Sequence, residues 1–181
     1  FFKSNEHHFK SGFIALFYGA PGTGKTMLAG ILANTYGIDM YHVALSQVVS
    51  KYIGEPEKTF EIFFNRLQGK NCMLFFDEAD SLFGKRSDVK DAHDRYANQE
   101  VSYLLQRIEK FDGLTVLASN FENNMDEAFK RRIDLSINII RPTEATREAL
   151  WKQYLPKNVM FESEAFLKHL AKDYSYTGSN I

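Results

Sequence analysis

The sequence predicts a three-layer α/β sandwich in which helices cover both faces of a five-stranded, mostly parallel sheet. Short apolar runs alternate with segments of helical period, a pattern typical of β-α-β units. The middle runs are apolar on both faces, as strands covered on both sides by helices should be. We predict strands at Phe13 to Tyr18, Met40 to Leu45, Cys72 to Phe76, Leu114 to Ala118, and Leu135 to Ile140.

Two apolar stripes between these strands have the i, i+3, i+4, i+7 spacing of amphipathic helices that pack against a sheet. After Pro142 the pattern becomes purely helical. We therefore predict a large α/β subdomain over residues 1–141 and the beginning of a helical subdomain over residues 142–181. The stripes are formed by Phe60, Phe63, Phe64 and Leu67, and by Val101, Leu104, Leu105 and Ile108.

Composition narrows the class of protein. The 181 residues are 44% hydrophobic and 25% charged with a net charge of −1, which suits an ordinary globular domain and gives no strong field towards nucleic acid or anionic membranes. The single cysteine, Cys72, lies in an apolar run and is predicted to be a core residue in a cytoplasmic protein. No apolar stretch is long enough to span a bilayer. Because the chain starts at Phe1 without methionine and stops at Ile181, we expect it to be truncated at both ends.

A glycine-rich loop follows the first predicted strand and precedes a helical run. Residues Gly19 to Thr26 match the pattern GxxxxGK[ST], in which glycines let backbone N–H groups approach phosphate oxygens at a helix N-terminus. Lys25 would reach the β- and γ-phosphates, and the Thr26 hydroxyl would ligate Mg²⁺. The alternative is a glycine-rich turn that binds nothing. We predict that the nucleotide contacts Pro21, Gly22, Thr23, Gly24, Lys25, Thr26 and Met27.

Two carboxylates end the third predicted strand. Asp77 and Glu78 follow four apolar residues and one β-α unit separates them from the loop, so they are expected at the sheet edge where α/β proteins bind ligands. Asp77 is predicted to hold Mg²⁺, and Glu78 to orient the water that attacks the γ-phosphate. Asp80 could belong to this site, but a role at a helix start or turn is favoured.

With these residues the chain resembles the AAA family of P-loop ATPases, from about Phe13 to the end. The resemblance implies that Asn120 is the sensor asparagine that helps position the lytic water. It also implies that Arg131 and Arg132 enter a neighbouring subunit's site and neutralise charge on the γ-phosphate. The alternatives are an ordinary loop asparagine and a basic helix end favoured by the helix dipole.

The same resemblance identifies two further segments. Tyr52, Ile53 and Gly54 are similar to the aromatic-aliphatic-glycine pore loop with which AAA rings grip extended polypeptide, although Tyr52 and Ile53 could instead pack locally. Gly178 matches the glycine at the start of the lid helix that closes over the nucleotide. Residues 1–12 show no match to the family segment that contributes to the adenine pocket. Residues 85–98 resemble bacterial AAA proteins, including those encoded beside contractile injection systems.

The leading functional expectation is an ATP hydrolase that forms a homo-oligomeric, hexameric ring and remodels, unfolds or disassembles proteins. One alternative is a nucleic-acid machine, which the near-zero charge disfavours because nucleic-acid grooves need clustered Lys and Arg. Another is a nucleotide-dependent assembly scaffold that does not hydrolyse ATP, which an intact set of Lys25, Asp77, Glu78 and Asn120 disfavours. The predicted cofactors are ATP and Mg²⁺.

Overall fold

The fold is a five-stranded parallel sheet, seen in a computed structural model that describes residues 12–44, 56–80, 102–120, 130–156 and 164–181. The strand order is β2-β3-β4-β1-β5, so β1, the first strand in the sequence, lies between β4 and β5, the last two. All four strand pairs are parallel. The strands are β1 Phe13–Tyr18, β2 Asp39–Ala44, β3 Cys72–Asp77, β4 Leu114–Ser119 and β5 Leu135–Asn138.

Helices connect and follow these strands. α1 leaves the glycine-rich loop and ends at Gly37, whose positive φ of 62° suits a glycine C-cap. The bounds are α1 Lys25–Tyr36, α2 Pro56–Leu67, α3 over residues 102–109, α4 Glu144–Tyr154 and α5 Glu164–Asp173. The predicted α/β fold is therefore confirmed. The predicted bounds of β1 agree with the observed ones, and the described ends of the other strands lie within two residues of their predictions.

The sheet separates two hydrophobic cores, as alternation of side chains along each strand requires. One face of β3 and β4 packs against α2 and α3 through residues such as Phe64 and Ile108. The other face packs against α1 through Ala29 and Ala33. Cys72 is 2% exposed, as predicted for a core residue, and burial raises the pKa of its thiol. Because both faces are covered, chemistry is confined to the sheet edges.

The helices after Pro142 pack on each other. Arg147 on α4 donates from Nε to the carbonyl of Ala171 at 2.8 Å and from Nη1 to the carbonyl of Pro142 at 2.7 Å. The Arg147 side chain therefore connects α5 with the segment that follows β5. In the described ranges, no helix is long and apolar enough to cross a membrane.

Candidate active site

The candidate site lies at the edge where the parallel strands end. The glycine-rich loop follows β1, Asp77 ends β3 and is followed by Glu78, and Asn120 follows β4. Since β4 lies between β1 and β3, the three segments are neighbours although they are far apart in sequence. The sheet order thus gathers residues that were predicted separately.

Backbone conformation explains the glycines of the loop. Gly22 has φ of 75° and Gly24 has φ of 99°, both in the left-handed region that favours glycine. Gly24 is also the N-cap of α1, and it has no side chain that could accept hydrogen bonds from the free N–H groups of the first turn. These donors and the helix dipole favour an anion at this position. Thr23, in the same loop, donates its hydroxyl hydrogen to the carbonyl of Ala20 at 2.9 Å.

Lys25 is the buried cation of the site, with 8% of its surface exposed. Its Nζ donates to the carbonyl of Gly19 at 2.8 Å, to the carbonyl of Ala20 at 3.1 Å and to Oδ1 of Asn120 at 3.0 Å. Burial lowers the pKa of Lys25 below its ordinary value, while the charges of Asp77 and Asp80 act in the opposite direction. The ammonium is therefore held close to both the loop and Asn120.

The acidic pair has two different environments. Oδ1 of Asp77 accepts the N–H of Glu78 at 2.9 Å, and Oδ2 lies 3.7 Å from Nε2 of His42. Glu78 is exposed and has φ of 53°, the one positive φ at a non-glycine residue in the described ranges. This left-handed backbone turns the chain sharply after β3. Such conformations cost energy and occur often at functional sites.

This strain gives a stability prediction. Glu78→Gly should stabilise the protein by about 1 kcal/mol, because glycine adopts a positive φ without the Cβ clash, although part of the gain is lost to unfolded-chain entropy. Glu78→Gln is the matched control, since it keeps the Cβ. Urea unfolding of the two variants measures the difference. Equal midpoints would show that the backbone at residue 78 stores no strain.

The residues present fit Mg²⁺. This ion binds proteins through one or two oxygen ligands and otherwise keeps water or phosphate oxygens. Asp77 offers a half-buried carboxylate at the sheet edge, and Thr26 offers an exposed hydroxyl in the first turn of α1. Within the part of the chain that the structure describes, no group of three or more His, Cys, Asp or Glu could hold a metal alone. A site shared with phosphate is consistent with this donor set.

Residues 177–179 lie against the glycine-rich loop. The N–H of Ser179 donates to the carbonyl of Gly22 at 3.2 Å. A Cβ on Gly22 would collide with the hydroxyls of Thr177 and Ser179, so glycine is required there by space as well as by φ. Gly178 lies between these two residues in the sequence, and residues 178–180 form a turn.

The remaining predicted residues fall into three groups. Arg131 and Arg132 are exposed and precede β5, so they lie at the edge where strands begin, opposite the glycine-rich loop. Nη1 of Arg132 is 2.8 Å from Oε1 of Glu109. Pro21, Thr26 and Met27 are exposed around the loop, Met27 by 61%. The predicted pore loop, Tyr52 to Gly54, lies outside the described residues.

One residue of the site was underestimated from sequence. Asp80 was expected at a helix start or turn, and its carboxylate reaches the end of β4. One oxygen accepts the Ser119 hydroxyl, and the other accepts the N–H of Asn120 at 3.0 Å. The only sequence signal was a third acid two residues after Glu78.

Comparison with known proteins decides the family. The model of the "ATPase family associated with various cellular activities (AAA)" matches residues 15–141. The chain belongs to the AAA family. A curated AAA relative, 26S proteasome subunit RPT4 of Saccharomyces cerevisiae, is 34% identical over 84% of this chain and 37% of its own length.

Other matches agree with this assignment. Peroxisomal ATPase PEX6 of Saccharomyces cerevisiae is 32% identical over 92% of this chain, which spans 17% of that relative. Peroxisomal ATPase PEX1 of Cricetulus griseus is 33% identical over 92% of this chain and 13% of its own length. The crystal structure of the FIGL-1 AAA domain in complex with ADP superposes with a TM-score of 0.74 at 25% identity, covering 92% of this chain and 56% of that one. The chain thus corresponds to less than two fifths of these curated relatives.

Proposed function

We propose that this AAA chain binds and hydrolyses ATP as one subunit of a homo-oligomeric, hexameric ring that remodels, unfolds or disassembles proteins. The observation that carries the proposal is the meeting of Lys25 and Asn120 at 3.0 Å, beside the edge where Asp77 and Glu78 end β3. Phosphoryl transfer needs positioned charges more than covalent chemistry. This cluster supplies a cation, a metal-binding carboxylate, a second carboxylate and an amide within one edge of the sheet.

Each group has a distinct role in the proposed hydrolysis. The loop and Lys25 bind the phosphates, and Thr26 and Asp77 would hold Mg²⁺, which neutralises charge on the β- and γ-phosphates when bound. Glu78 orients and polarises water, for which its exposed position at the strand end is suited. Asn120 fixes the direction of the attack through its amide. Adenine recognition involves the segment around Gly178, which packs against the phosphate loop.

The position of the arginines supports a ring. Arg131 and Arg132 precede β5, whereas the phosphate loop follows β1, and these paired parallel strands run in the same direction. The six residues of β1 span about 17 Å at the usual rise per residue. These side chains therefore serve a phosphate bound by a neighbouring copy rather than by their own loop. A shared site of this kind makes hydrolysis depend on assembly.

Protein is the proposed substrate class because of the segment between β2 and α2. Tyr52, Ile53 and Gly54 follow the AAA pore-loop pattern, and an aromatic-aliphatic pair packs against many different side chains. The relatives include a subunit of the 26S proteasome. We place the protein in the cytoplasm, in keeping with its one buried cysteine. The bacterial subgroup suggested by residues 85–98 stays a prediction, since those residues lie outside the described ranges.

The experiment for the substrate class separates ATP turnover from work on protein. In the full-length protein, Tyr52→Ala should keep ATP hydrolysis within about threefold of wild type and reduce ATP-dependent unfolding of a tagged fluorescent protein at least about tenfold, because an aromatic anchor contributes roughly 1–3 kcal/mol of contact. Tyr52→Phe is the matched control and should retain unfolding. If Tyr52→Ala unfolds the substrate as fast as wild type, the pore-loop assignment is wrong.

A further inference from the structure

We propose that Asp80 is a positioning residue for ATP hydrolysis. Its carboxylate holds Ser119 and the backbone of Asn120, and thereby fixes the side-chain amide of Asn120 against Lys25. This inference rests on the proposed function and deepens it. Asp80 comes three residues after Asp77, yet its carboxylate is bonded to the end of a different strand. We call Asp80, Ser119 and Asn120 the β3-β4 clasp.

The clasp uses both oxygens of one carboxylate. Oδ1 of Asp80 accepts the hydroxyl of Ser119, a residue only 1% exposed, and Oδ2 accepts the backbone N–H of Asn120 at 3.0 Å. Hydrogen bonds to a carboxylate are stronger than those between neutral groups. A hydrogen bond between backbone groups, from the N–H of Ala79 to the carbonyl of Ala118 at 2.9 Å, connects the same two strand ends. The backbone of Asn120 is thereby held in place through its N–H group.

The clasp also reaches the phosphate loop by two routes. The carbonyl of Ser119 accepts the N–H of Gly19, the first residue of the loop, at 3.2 Å. The Oδ1 of Asn120 accepts from Lys25 Nζ at 3.0 Å. Asp80 therefore links the strand that ends in Asp77 and Glu78 to both the loop and its lysine. Movement of a γ-phosphate against Lys25 or Asn120 would be transmitted to the acidic pair through these bonds.

Asp80 contributes charge as well as geometry. Its carboxylate acts on Lys25 in the direction that favours the ammonium, opposing the effect of burial. Charge and hydrogen bonding can be separated by Asp80→Asn, because an amide keeps one oxygen for the Asn120 N–H and offers an N–H to the Ser119 oxygen. Asp80→Ala removes both. Ser119→Ala removes only the hydroxyl.

The test uses the full-length protein with Asp80→Ala, Asp80→Asn and Ser119→Ala, and the control Asp39→Ala at the opposite edge of the sheet. Two quantities are measured: hydrogen exchange of the Asn120 backbone amide, and kcat for ATP beside the Kd for ATP. In Asp80→Ala we expect Asn120 exchange at least about tenfold faster and kcat about 10- to 100-fold lower, with the Kd within about threefold, since misplacing a reacting group costs rate more than binding. Asp80→Asn should restore the exchange rate and most of kcat.

Each outcome decides the matter. Unchanged exchange at Asn120 in Asp80→Ala would overturn the clasp whatever the catalytic result. If exchange accelerates but kcat does not change, or if kcat and ATP-binding capacity fall together while Asp80→Asn gives no rescue, then Asp80 is a structural residue only. If wild-type protein binds ATP without turnover, the proposed function and the catalytic part of this inference both fail, and the exchange data still report whether the clasp exists.

Discussion

Lys25→Ala should abolish ATP binding at micromolar nucleotide. The ammonium is the buried cation of the phosphate loop, and removing one partner of a desolvated charged contact costs about 2–5 kcal/mol, or roughly 30-fold to several thousandfold in Kd. The loss of hydrolysis should follow from the loss of binding. Isothermal titration with a non-hydrolysable ATP analogue measures the effect. Lys25→Arg is a useful companion, since it keeps the charge but replaces a compact ammonium by a planar fork.

Glu78→Gln is the matched control for this prediction. The glutamine has the same shape and no charge, so it should leave ATP bound and reduce turnover at least about 100-fold, in the range lost when a general base is removed. The Lys25 and Glu78 variants should therefore differ in binding while both lose hydrolysis. Equal loss of binding in the two would contradict the separate roles given to the loop and to the end of β3.

Arg131→Ala and Arg132→Ala should each reduce ATP hydrolysis, and the double variant should lose about 10³-fold or more, as removal of an arginine finger does in related phosphoryl transfer. Binding of ATP should change much less than turnover, because an arginine finger acts mainly on the charge that develops in the transition state. Steady-state turnover of assembled full-length protein, beside the Kd for ATP, measures both effects.

The two arginines need not contribute equally. Arg132 lies within 2.8 Å of Glu109 on α3, and both groups are partly exposed. Glu109→Gln is therefore the control that separates loss of this intramolecular pair from loss of the arginine itself. It should leave turnover within about threefold, because a partly exposed ion pair contributes about 1 kcal/mol or less. A loss as large as that of Arg132→Ala would mean that the pair, and not the guanidinium at a neighbour's phosphate, is what hydrolysis requires.

Much of this fold follows from local sequence signals. The strands β1, β3 and β4 are short apolar runs between helices, and the phosphate loop is a spaced motif in a strand-to-helix context. Each of these is decided within a few residues along the chain. Strand ends were less accurate: β2 begins at Asp39 rather than at Met40, because pairing with β3 sets its start.

The missed contacts depend on sheet order and on distant segments. Asp80 bonds to Ser119 and Asn120 only because β3 lies beside β4, and a sequence spacing does not contain that neighbour relation. The approach of Ser179 to Gly22 likewise joins the end of the chain to its first loop. Hydrogen-bond partners of this kind are fixed by tertiary packing, so the residue types were visible in the sequence while their partners were not.

The most direct test of a shared active site is the ATPase rate per subunit of the full-length protein as a function of protein concentration, with wild-type and Arg131→Ala/Arg132→Ala subunits mixed in varying ratio. We expect the rate per wild-type subunit to rise with concentration as rings form, and to fall on mixing as wild-type phosphate sites acquire mutant neighbours. A rate that is flat in concentration and unaffected by mixing would show a self-contained site, and would contradict the proposal that these AAA subunits hydrolyse ATP at shared interfaces.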